Sequence, residues 1–381
     1  MRAKGLTKKE VLAKLKQANQ KDQKYRDGKI LCSMCTTPHP AAKTAHKSFM
    51  EANLGDPALF PGSIQLEQEA VADLLALLHA PANGAGFIVS GGTEANLMAL
   101  YAARNAANVD DPEVVVPESA HFSFIKICDL LKIKPKKAKL NTNFQVDLVS
   151  VKQQITDHTI AVVGNAGSAE LGTVDPVEEL SEIALNHGVP LHVDAAFGGL
   201  VLPFLKELGY TVPAFDFQLE GVRSVTVDPH KMGMSTIPAG GILFRDKDAV
   251  ECIKTPTPYL TQDFQCTFVG TRPAASAAAT WAVFASLGRE GFKKTVAHCM
   301  KLTTYLYEGL EAAGFEVLLR PNMNIVAFRA ANPRALTEKL RSQGWYVSHV
   351  PRLGCIRVVL MPHTKKQHID DFLCCLKNLK T

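Results

Sequence analysis

The chain has 381 residues and a formal net charge of +5, with 46% hydrophobic and 21% charged residues. This length exceeds what one small core requires, so we expect one large domain and a smaller one. No apolar stretch reaches the ~20 residues that cross a bilayer, which argues against a membrane partner.

Basic residues are densest at positions 132–139 (KIKPKKAK). Such a run can bind nucleic acid, but no aromatic residues are interleaved with these lysines. We interpret the run as a solvated connection that enters a strand, and we expect no nucleic-acid partner.

The first 25 residues are charged and helix-like, with no apolar signal core, which predicts a cytoplasmic protein. Nine cysteines are an odd number in a long chain and indicate reduced thiols rather than a disulfide framework. Cys32 and Cys35 have the spacing of a redox or zinc site, but the adjacent Cys374 and Cys375 make a poor second ligand pair. We favour small residues packed in a loop and expect no metal.

Helical and strand patterns alternate from about residue 65 to 245. Short apolar strands separated by helices predict an α/β domain whose mostly parallel sheet is buried on both faces. The predicted strands cover residues 87–89, 114–116, 160–163, 191–193, 222–227 and 240–244, and the predicted helices cover 64–78, 94–107 and 178–186.

The last ninety residues have the pattern of a smaller α+β domain. Helices over 274–287 and 291–313 lead into it, and the segments that follow are strands over 324–328, 345–350 and 355–360 and helices over 333–343 and from 365. We therefore divide the chain into an N-terminal segment (1–55), a large ligand-binding domain (56–290) and a small C-terminal domain (291–381).

Each of the first five predicted strands of the large domain is followed by a polar or glycine-rich group. These groups are residues 90–93 (SGGT), His121, Ser168, Asp194 and residues 228–231 (DPHK). Ligands bind outside the carboxyl ends of parallel strands, so we expect all five groups to face one crevice.

Residues 90–93 lie between a predicted strand and a predicted helix. Glycines let the backbone approach a ligand, and free N–H groups at a helix start attract phosphate, so Gly92 and Thr93 are candidate phosphate ligands. The run is neither a dinucleotide nor a P-loop fingerprint.

Lys231 and Asp194 lie at the ends of two apolar runs, the arrangement that pyridoxal 5′-phosphate requires. The lysine amine forms a Schiff base, and the carboxylate keeps the pyridine nitrogen protonated. Alone, Asp194 would be interpreted as a helix cap and Lys231 as a surface lysine. We expect burial or a nearby cation to lower the pKa of Lys231, and the small Ala196 would let the ring lie flat.

Four further side chains are candidates for the same site. His230 can donate to a phosphate, and Asp228 either orients its neighbours or caps a turn. His121 either stacks on the pyridine ring or is a core histidine satisfied by the backbone. Arg357 lies within an apolar strand, where an unpaired cation is costly, so a substrate carboxylate is its natural partner.

Several motifs together resemble one family. The chain is similar to the pyridoxal-dependent group II amino-acid decarboxylases of fold type I, the aspartate-aminotransferase-like architecture. The N-terminal portion most resembles the compact archaeal branch, the L-tyrosine/L-aspartate decarboxylases of methanogens. The motifs are SGGTEAN (90–96), HFSF (121–124), HVDAAFGG (192–199), DPHK (228–231) and GTRPA (270–274).

The resemblance implies a role for each matching residue, and a homodimer with shared sites. The implied roles are the Schiff base (Lys231), the pyridine partner (Asp194), ring stacking (His121), phosphate binding (Gly92, Thr93, His230), a phosphate contact from the neighbouring subunit (Thr271) and the substrate α-carboxylate (Arg357).

Two positions depart from the family pattern. Ser168 stands where many relatives have a threonine near the cofactor. Tyr259 resembles the tyrosine of the mobile catalytic loop, which implies that it protonates the substrate Cα, although the segment before Gly270 is short.

The implied activity is decarboxylation of L-aspartate to β-alanine, a coenzyme A precursor, or of L-tyrosine to tyramine, a methanofuran precursor. Glutamate decarboxylation, another fold-type I lyase and a transaminase are the enzyme alternatives. A catalytically silent structural or interaction protein is the non-enzyme alternative, and the intact set of Lys231, Asp194 and His121 counts against it.

Overall fold

The computed structural model describes residues 1–380, and its centre is a seven-stranded sheet. Its strands are β1 (Ala85–Val89), β2 (Glu113–Pro117), β3 (Lys134–Ala138), β4 (Thr159–Asn165), β5 (Leu191–Asp194), β6 (Val222–Val227) and β7 (Gly240–Phe244). Their order is β1-β7-β6-β5-β4-β2-β3. The neighbours from β6 to β3 pair in parallel, whereas β7 is antiparallel to both β6 and β1.

Helices cover both faces of this sheet, which is why β2, β4, β5 and β7 are buried along their whole length. The helices are α1 (Lys8–Asn19), α2 (Pro40–Ser48), α3 (Pro61–Leu77), α4 (Gly92–Ala107), α5 (Ser123–Leu131), α6 (Leu148–Gln154), α7 (Val177–Asn186), α8 (Leu202–Glu207), α9 (Asp248–Glu251), α10 (Ala274–Ala312), α11 (Pro333–Ser342) and α12 (Lys366–Lys380). In the described part of the chain, none is long and apolar enough to cross a membrane.

All six predicted strands of the large sheet are present, but one further strand was not predicted. The basic run is not a connection, because residues 134–138 form the edge strand β3. Apolar residues do not alternate there, so the pattern gave no strand signal. Lys134 and Lys136 lie 3.4 and 3.7 Å from the Glu113 carboxylate of β2. Lysines on an edge strand also oppose pairing with other chains.

A second, antiparallel sheet has the order β10-β12-β11. The remaining strands are the short hairpin β8 (Thr255–Pro256) and β9 (Phe264–Gln265), followed by β10 (Ile325–Arg329), β11 (Ser348–Val350) and β12 (Cys355–Val359). The small sheet has its own apolar cluster, which includes Leu306, Phe328, Trp345 and Phe372. Helix α10 kinks at Gly288, whose φ of +53° favours glycine. The domain boundaries at residues 55 and 290 stay predictions.

A buried ion pair joins three elements of the large domain. Arg272, which precedes α10, lies with its Nη1 2.5 Å from Glu67 Oε1 on α3. The same two side chains hold β1, because Ile88 N donates to Glu67 Oε1 at 2.9 Å and Arg272 Nη1 donates to Ile88 O at 2.8 Å. Strand β1 leads directly into the SGGT turn, so this pair anchors that turn.

We predict that Glu67→Ala lowers the free energy of unfolding by about 3–5 kcal/mol, because it leaves the Arg272 charge buried without a partner. Chemical denaturation of the two proteins measures the difference. The matched control is Glu338→Ala, which removes the exposed pair with Arg334 and should change the free energy by less than about 1 kcal/mol. Equal losses in the two variants would contradict the prediction.

Candidate active site

The carboxyl ends of the parallel strands open into one cavity of about 310 Å³. Nine of the twelve predicted site residues line it, which confirms that the strand-end groups share one crevice. They are Gly92, Thr93, His121, Ser168, Asp194, Ala196, Asp228, His230 and Lys231.

Lys231 and Asp228 form an ion pair at the bottom of this cavity. Lys231 Nζ lies 2.9 Å from Asp228 Oδ2, and the Asp228 side chain is only 2% exposed. Burial opposes the charge on Lys231, but the carboxylates of Asp228 and Asp194 outweigh it and raise the pKa of Lys231. The expectation of a lowered pKa is therefore wrong for the ligand-free chain. The side chain of Asp228 contacts Lys231, and the choice between its two interpreted roles stays a prediction.

Asp194 ends β5 and is almost fully buried. Its Oδ1 accepts from the Ala196 backbone N–H at 3.1 Å, and its Oδ2 accepts from Asn96 Nδ2 at 2.9 Å. Among the described residues it forms no ion pair within 4.0 Å. The carboxylate is therefore available to a cation that enters the cavity.

Helix α4 begins at Gly92, and no side chain from the described residues caps its N-terminus. The N-cap Gly91 has a φ of +150°, and a Cβ on Gly92 would lie 3.0 Å from Asp228 Oδ2. Strand β7 passes close behind, since a Cβ on Gly240 would lie 2.4 Å from Gly91 Cα. Free N–H groups at a helix start, in a cradle without side chains, suit a phosphate.

His230 stands beside that helix start. Its Nδ1 donates to Ala239 O at 2.5 Å, which leaves Nε2 3.7 Å from Asp228 Oδ2. Burial lowers the pKa of His230. A ring with Nδ1 fixed to the backbone has one nitrogen left for a ligand in the cavity.

His121 and Ser168 both line the cavity. Burial lowers the pKa of His121, which favours the neutral ring. Its Nδ1 accepts from Ser123 N at 3.3 Å. The Ser168 hydroxyl lies 2.8 Å from Thr173 Oγ1 and also accepts from Thr173 N, so it is already used within its own loop.

Arg357 lies just outside the cavity wall on β12. Its guanidinium donates to the carbonyl oxygens of Ala169 and Cys32 and to Ser348 Oγ at 3.0 Å. Within residues 1–380 no carboxylate pairs with it, its buried Nε has no partner, and burial lowers its pKa. A partly buried cation without an anion is consistent with a substrate carboxylate, and that role stays a prediction.

Tyr259 and Thr271 lie outside the cavity of their own chain. Tyr259 is 85% exposed, and Thr271 is exposed in the segment before α10. That segment contacts the cavity rim, where Val269 N donates to the Glu94 carboxylate at 3.4 Å. The structure of one chain therefore does not bring these two residues to the site.

Seven cavity residues were not predicted: Met34, Glu94, Asn96, Asn165, Gly167, Ala169 and Phe197. Asn96 carried a signal in the sequence, because asparagine is disfavoured inside helices and this one lies within an apolar helix. Met34 arrives by long-range pairing, since Leu31 N donates to Tyr346 O at 2.8 Å. No local pattern predicts that contact.

The Cys32–Cys35 loop passes between the small sheet and the cavity. The Cys32 carbonyl accepts from Arg357, and burial raises the pKa of both thiols. Within the described part of the chain no cluster of His, Cys, Asp and Glu side chains could hold a metal ion.

Solved structures with the same architecture include a lyase and a decarboxylase. A sphingosine-1-phosphate lyase of Burkholderia pseudomallei superposes with a TM-score of 0.92 at 28% identity, covering 99% of this chain and 91% of that one. A glutamate decarboxylase of Lactobacillus brevis gives 0.90 at 20% identity, covering 99% and 93%. The fold and site thus define a pyridoxal-phosphate-dependent enzyme of fold type I, as predicted.

The family follows from sequence comparison. The model described as "Pyridoxal-dependent decarboxylase conserved domain" matches residues 50–331, and the chain belongs to this family. It is 49% identical to a probable L-tyrosine/L-aspartate decarboxylase of Methanothermobacter thermautotrophicus over 93% of this chain and 98% of that protein. It is 47% identical to an L-aspartate decarboxylase of Thermococcus kodakarensis over 98% of each. The prediction of a PLP-dependent amino-acid decarboxylase is confirmed.

We predict that Asp228→Asn lowers the pKa of Lys231, because the carboxylate of Asp194 alone then opposes the effect of burial. The measurement is the pH dependence of reductive methylation of Lys231 in the coenzyme-free protein, read by peptide mass spectrometry. The midpoint should move to lower pH in the variant. Asp216→Asn, at another buried aspartate, is the control and should leave the midpoint unchanged. An unmoved midpoint in Asp228→Asn would refute the assignment.

Proposed function

We propose that this decarboxylase acts on L-aspartate, on L-tyrosine or on both. The observation that carries the proposal is the convergence of Lys231, Asp194 and the uncapped start of α4 on one cavity. The choice of substrate is supported by relatives that are named for these two amino acids. A relative from Pyrococcus horikoshii, 46% identical, is named an L-aspartate/L-glutamate decarboxylase, so glutamate is the second candidate.

The residues present fit pyridoxal phosphate, whose ring supplies the electron sink for decarboxylation when bound. Lys231 would hold it through the ε-amine, and Asp194 would face its ring nitrogen. The N–H groups of Gly92 and Thr93, with His230, would bind its phosphate. The neutral ring of His121 would cover one face.

Two side chains would control protons during the reaction. The Asp228 carboxylate keeps Lys231 Nζ protonated until a ligand displaces that contact, because the two atoms are 2.9 Å apart. Asp228 Oδ1 has no partner in the described chain and can accept a hydrogen bond from a second donor. We assign the Tyr259 hydroxyl to proton delivery at the substrate Cα.

Arg357 would bind the substrate α-carboxylate and orient it. The guanidinium reaches the cavity wall at Ala169 and carries no internal ion pair. An ionised carboxylate entering this region would replace backbone carbonyls as its strongest partner. Loss of that carboxylate as neutral CO₂ would weaken the contact and favour product release.

The proposed products are amines that serve as biosynthetic precursors. Aspartate would yield β-alanine, a coenzyme A precursor, and tyrosine would yield tyramine, a methanofuran precursor. We propose an archaeal source, which is consistent with the organisms of the relatives. A cytoplasmic location is consistent with nine cysteines, none of them in a disulfide.

We also propose a homodimer in which Thr271 completes the partner's site. Thr271 and Phe268 are both exposed, the latter by 52%, and they lie in the segment whose Val269 N donates to the cavity residue Glu94. Helix α1 buries none of its residues and exposes Val11, Leu12 and Leu15 along one face. Exposed apolar surface of this kind is typical of an interface between subunits.

A substrate panel tests the proposed activity. Purified holoenzyme should release labelled CO₂ from carboxyl-labelled L-aspartate or L-tyrosine and form the corresponding amine. Lys231→Ala should reduce the rate by at least about 10²–10⁴-fold, the usual contribution of one positioned group. Lys206→Ala, at an exposed lysine on α8, is the control. If the enzyme formed an amine from glutamate alone, the proposal of aspartate and tyrosine as substrates would be wrong.

Subunit complementation tests the shared site. Lys231→Ala and Thr271→Glu should each be inactive, the second because its carboxylate repels the phosphate. A mixed dimer should regain activity, since one of its sites combines an intact Lys231 with an intact Thr271 from the partner. If each site used Thr271 of its own chain, mixing would restore nothing.

A further inference from the structure

We propose that Asn96 is a positioning residue, which fixes the orientation of the Asp194 carboxylate and keeps it free of any internal cation. This inference rests on the proposed role of Asp194 toward the coenzyme ring. Asn96 lies on α4, is 1% exposed and lines the cavity. Its Nδ2 donates to Asp194 Oδ2 at 2.9 Å.

The Asp194 carboxylate, which can only accept, fixes which way the Asn96 amide faces. Thr226 Oγ1, on β6, donates to Asn96 Oδ1 at 2.7 Å, and His192 Nε2, on β5, lies 3.0 Å from the same oxygen. If the amide were flipped, its oxygen would face the Asp194 carboxylate oxygen, which would place two acceptors together without a donor. The NH₂ group must therefore face Asp194.

His192 sets the direction of the whole chain of hydrogen bonds. Its side chain is buried, and burial lowers the pKa of His192 to about 4, so the ring is neutral at pH 7. A neutral imidazole has one N–H, which Asn96 Oδ1 requires on Nε2. Nδ1 then accepts from Ser224 Oγ, 2.8 Å away. The hydrogen bonds run from Ser224 through His192 and Asn96 to Asp194, and we call this series the relay.

The groups that donate hydrogen bonds to Asp194 are uncharged. Asp194 Oδ1 is held by a backbone N–H and Oδ2 by an amide, so both bonds stabilise the ionised carboxylate without neutralising it. A lysine or arginine in place of Asn96 would pair with Asp194 and compete with the pyridinium. Because the relay is neutral, the Asp194 carboxylate stays ionised and can form an ion pair with the ligand.

The relay also joins three elements that must keep their spacing. Helix α4 supplies both Asn96 and the helix start at Gly92, while β5 and β6 supply His192 and Thr226. The bonds from Asn96 therefore tie the phosphate end of the site to its ring-nitrogen end. A slight shift of α4 would move both ends together.

The experiment compares two ligands in coenzyme-free protein: pyridoxal phosphate, and its analogue with a carbon in place of the ring nitrogen. The ratio of their dissociation constants, from fluorescence titration, reports the ion pair with Asp194. Asn96→Leu keeps the volume but removes the donor. We expect it to reduce the preference for pyridoxal phosphate by about 10-fold or more, the usual worth of a hydrogen bond to a charged group.

Three further variants make the result decisive. Asp194→Ala should abolish the preference, Thr226→Val should reduce it less than Asn96→Leu does, and Asn324→Leu, at a buried asparagine outside the relay, should leave it unchanged. A wild-type ratio in Asn96→Leu, with the preference lost in Asp194→Ala, would overturn the role of Asn96 and leave that of Asp194 standing.

Two other outcomes are informative. A preference that survives in Asp194→Ala would overturn the proposed role of Asp194, and this inference with it. Circular dichroism and thermal unfolding of each coenzyme-free variant check the fold. Should Asn96→Leu not fold, Thr226→Val decides, because an unchanged ratio in that variant contradicts a relay through the Asn96 amide.

Discussion

Burying ionised side chains in a cavity is costly, and the ion pair between Lys231 and Asp228 offsets that cost at the bottom of this site. The two atoms lie 2.9 Å apart, and the pair holds the lysine amine beside the uncapped start of α4. Asp194, by contrast, has neutral partners only. One acid therefore neutralises the amine, while the other is left for the ligand, and this division of charge determines what the cavity can bind.

The sheet makes that division possible because its parallel strands end at one edge. Strand β5 ends at Asp194, β6 leads to Asp228, and β1 leads to the glycine turn before α4. The antiparallel β7 lies between β1 and β6, and Gly240 lets it pass against the backbone of Gly91. The Glu67–Arg272 pair then anchors β1 from the other side. The Glu67–Arg272 pair lies outside the cavity, yet by anchoring β1 it helps to fix the position of the glycine turn inside it.

Much of this could be predicted from the sequence, since six strands and nine cavity residues follow from apolar runs and the groups after them. The failures have physical causes. Strand β3 has no apolar alternation because three of its five residues are lysines. Lysines on an edge strand oppose pairing with other chains. The pKa of Lys231 depends on where the Asp228 side chain points, which no spacing reveals. Tyr259 and Thr271 are exposed in a single chain, and the roles proposed for them would require the proposed second subunit.

The most direct test of the central claim is to locate the coenzyme on the chain. Borohydride reduction of the holoenzyme, followed by peptide mass spectrometry, identifies the amine that holds pyridoxal phosphate. The geometry predicts a single modified residue, Lys231, with a sharply reduced yield in Lys231→Ala. Labelling of a different lysine, or undiminished labelling in that variant, would contradict the assignment of this cavity as the active site.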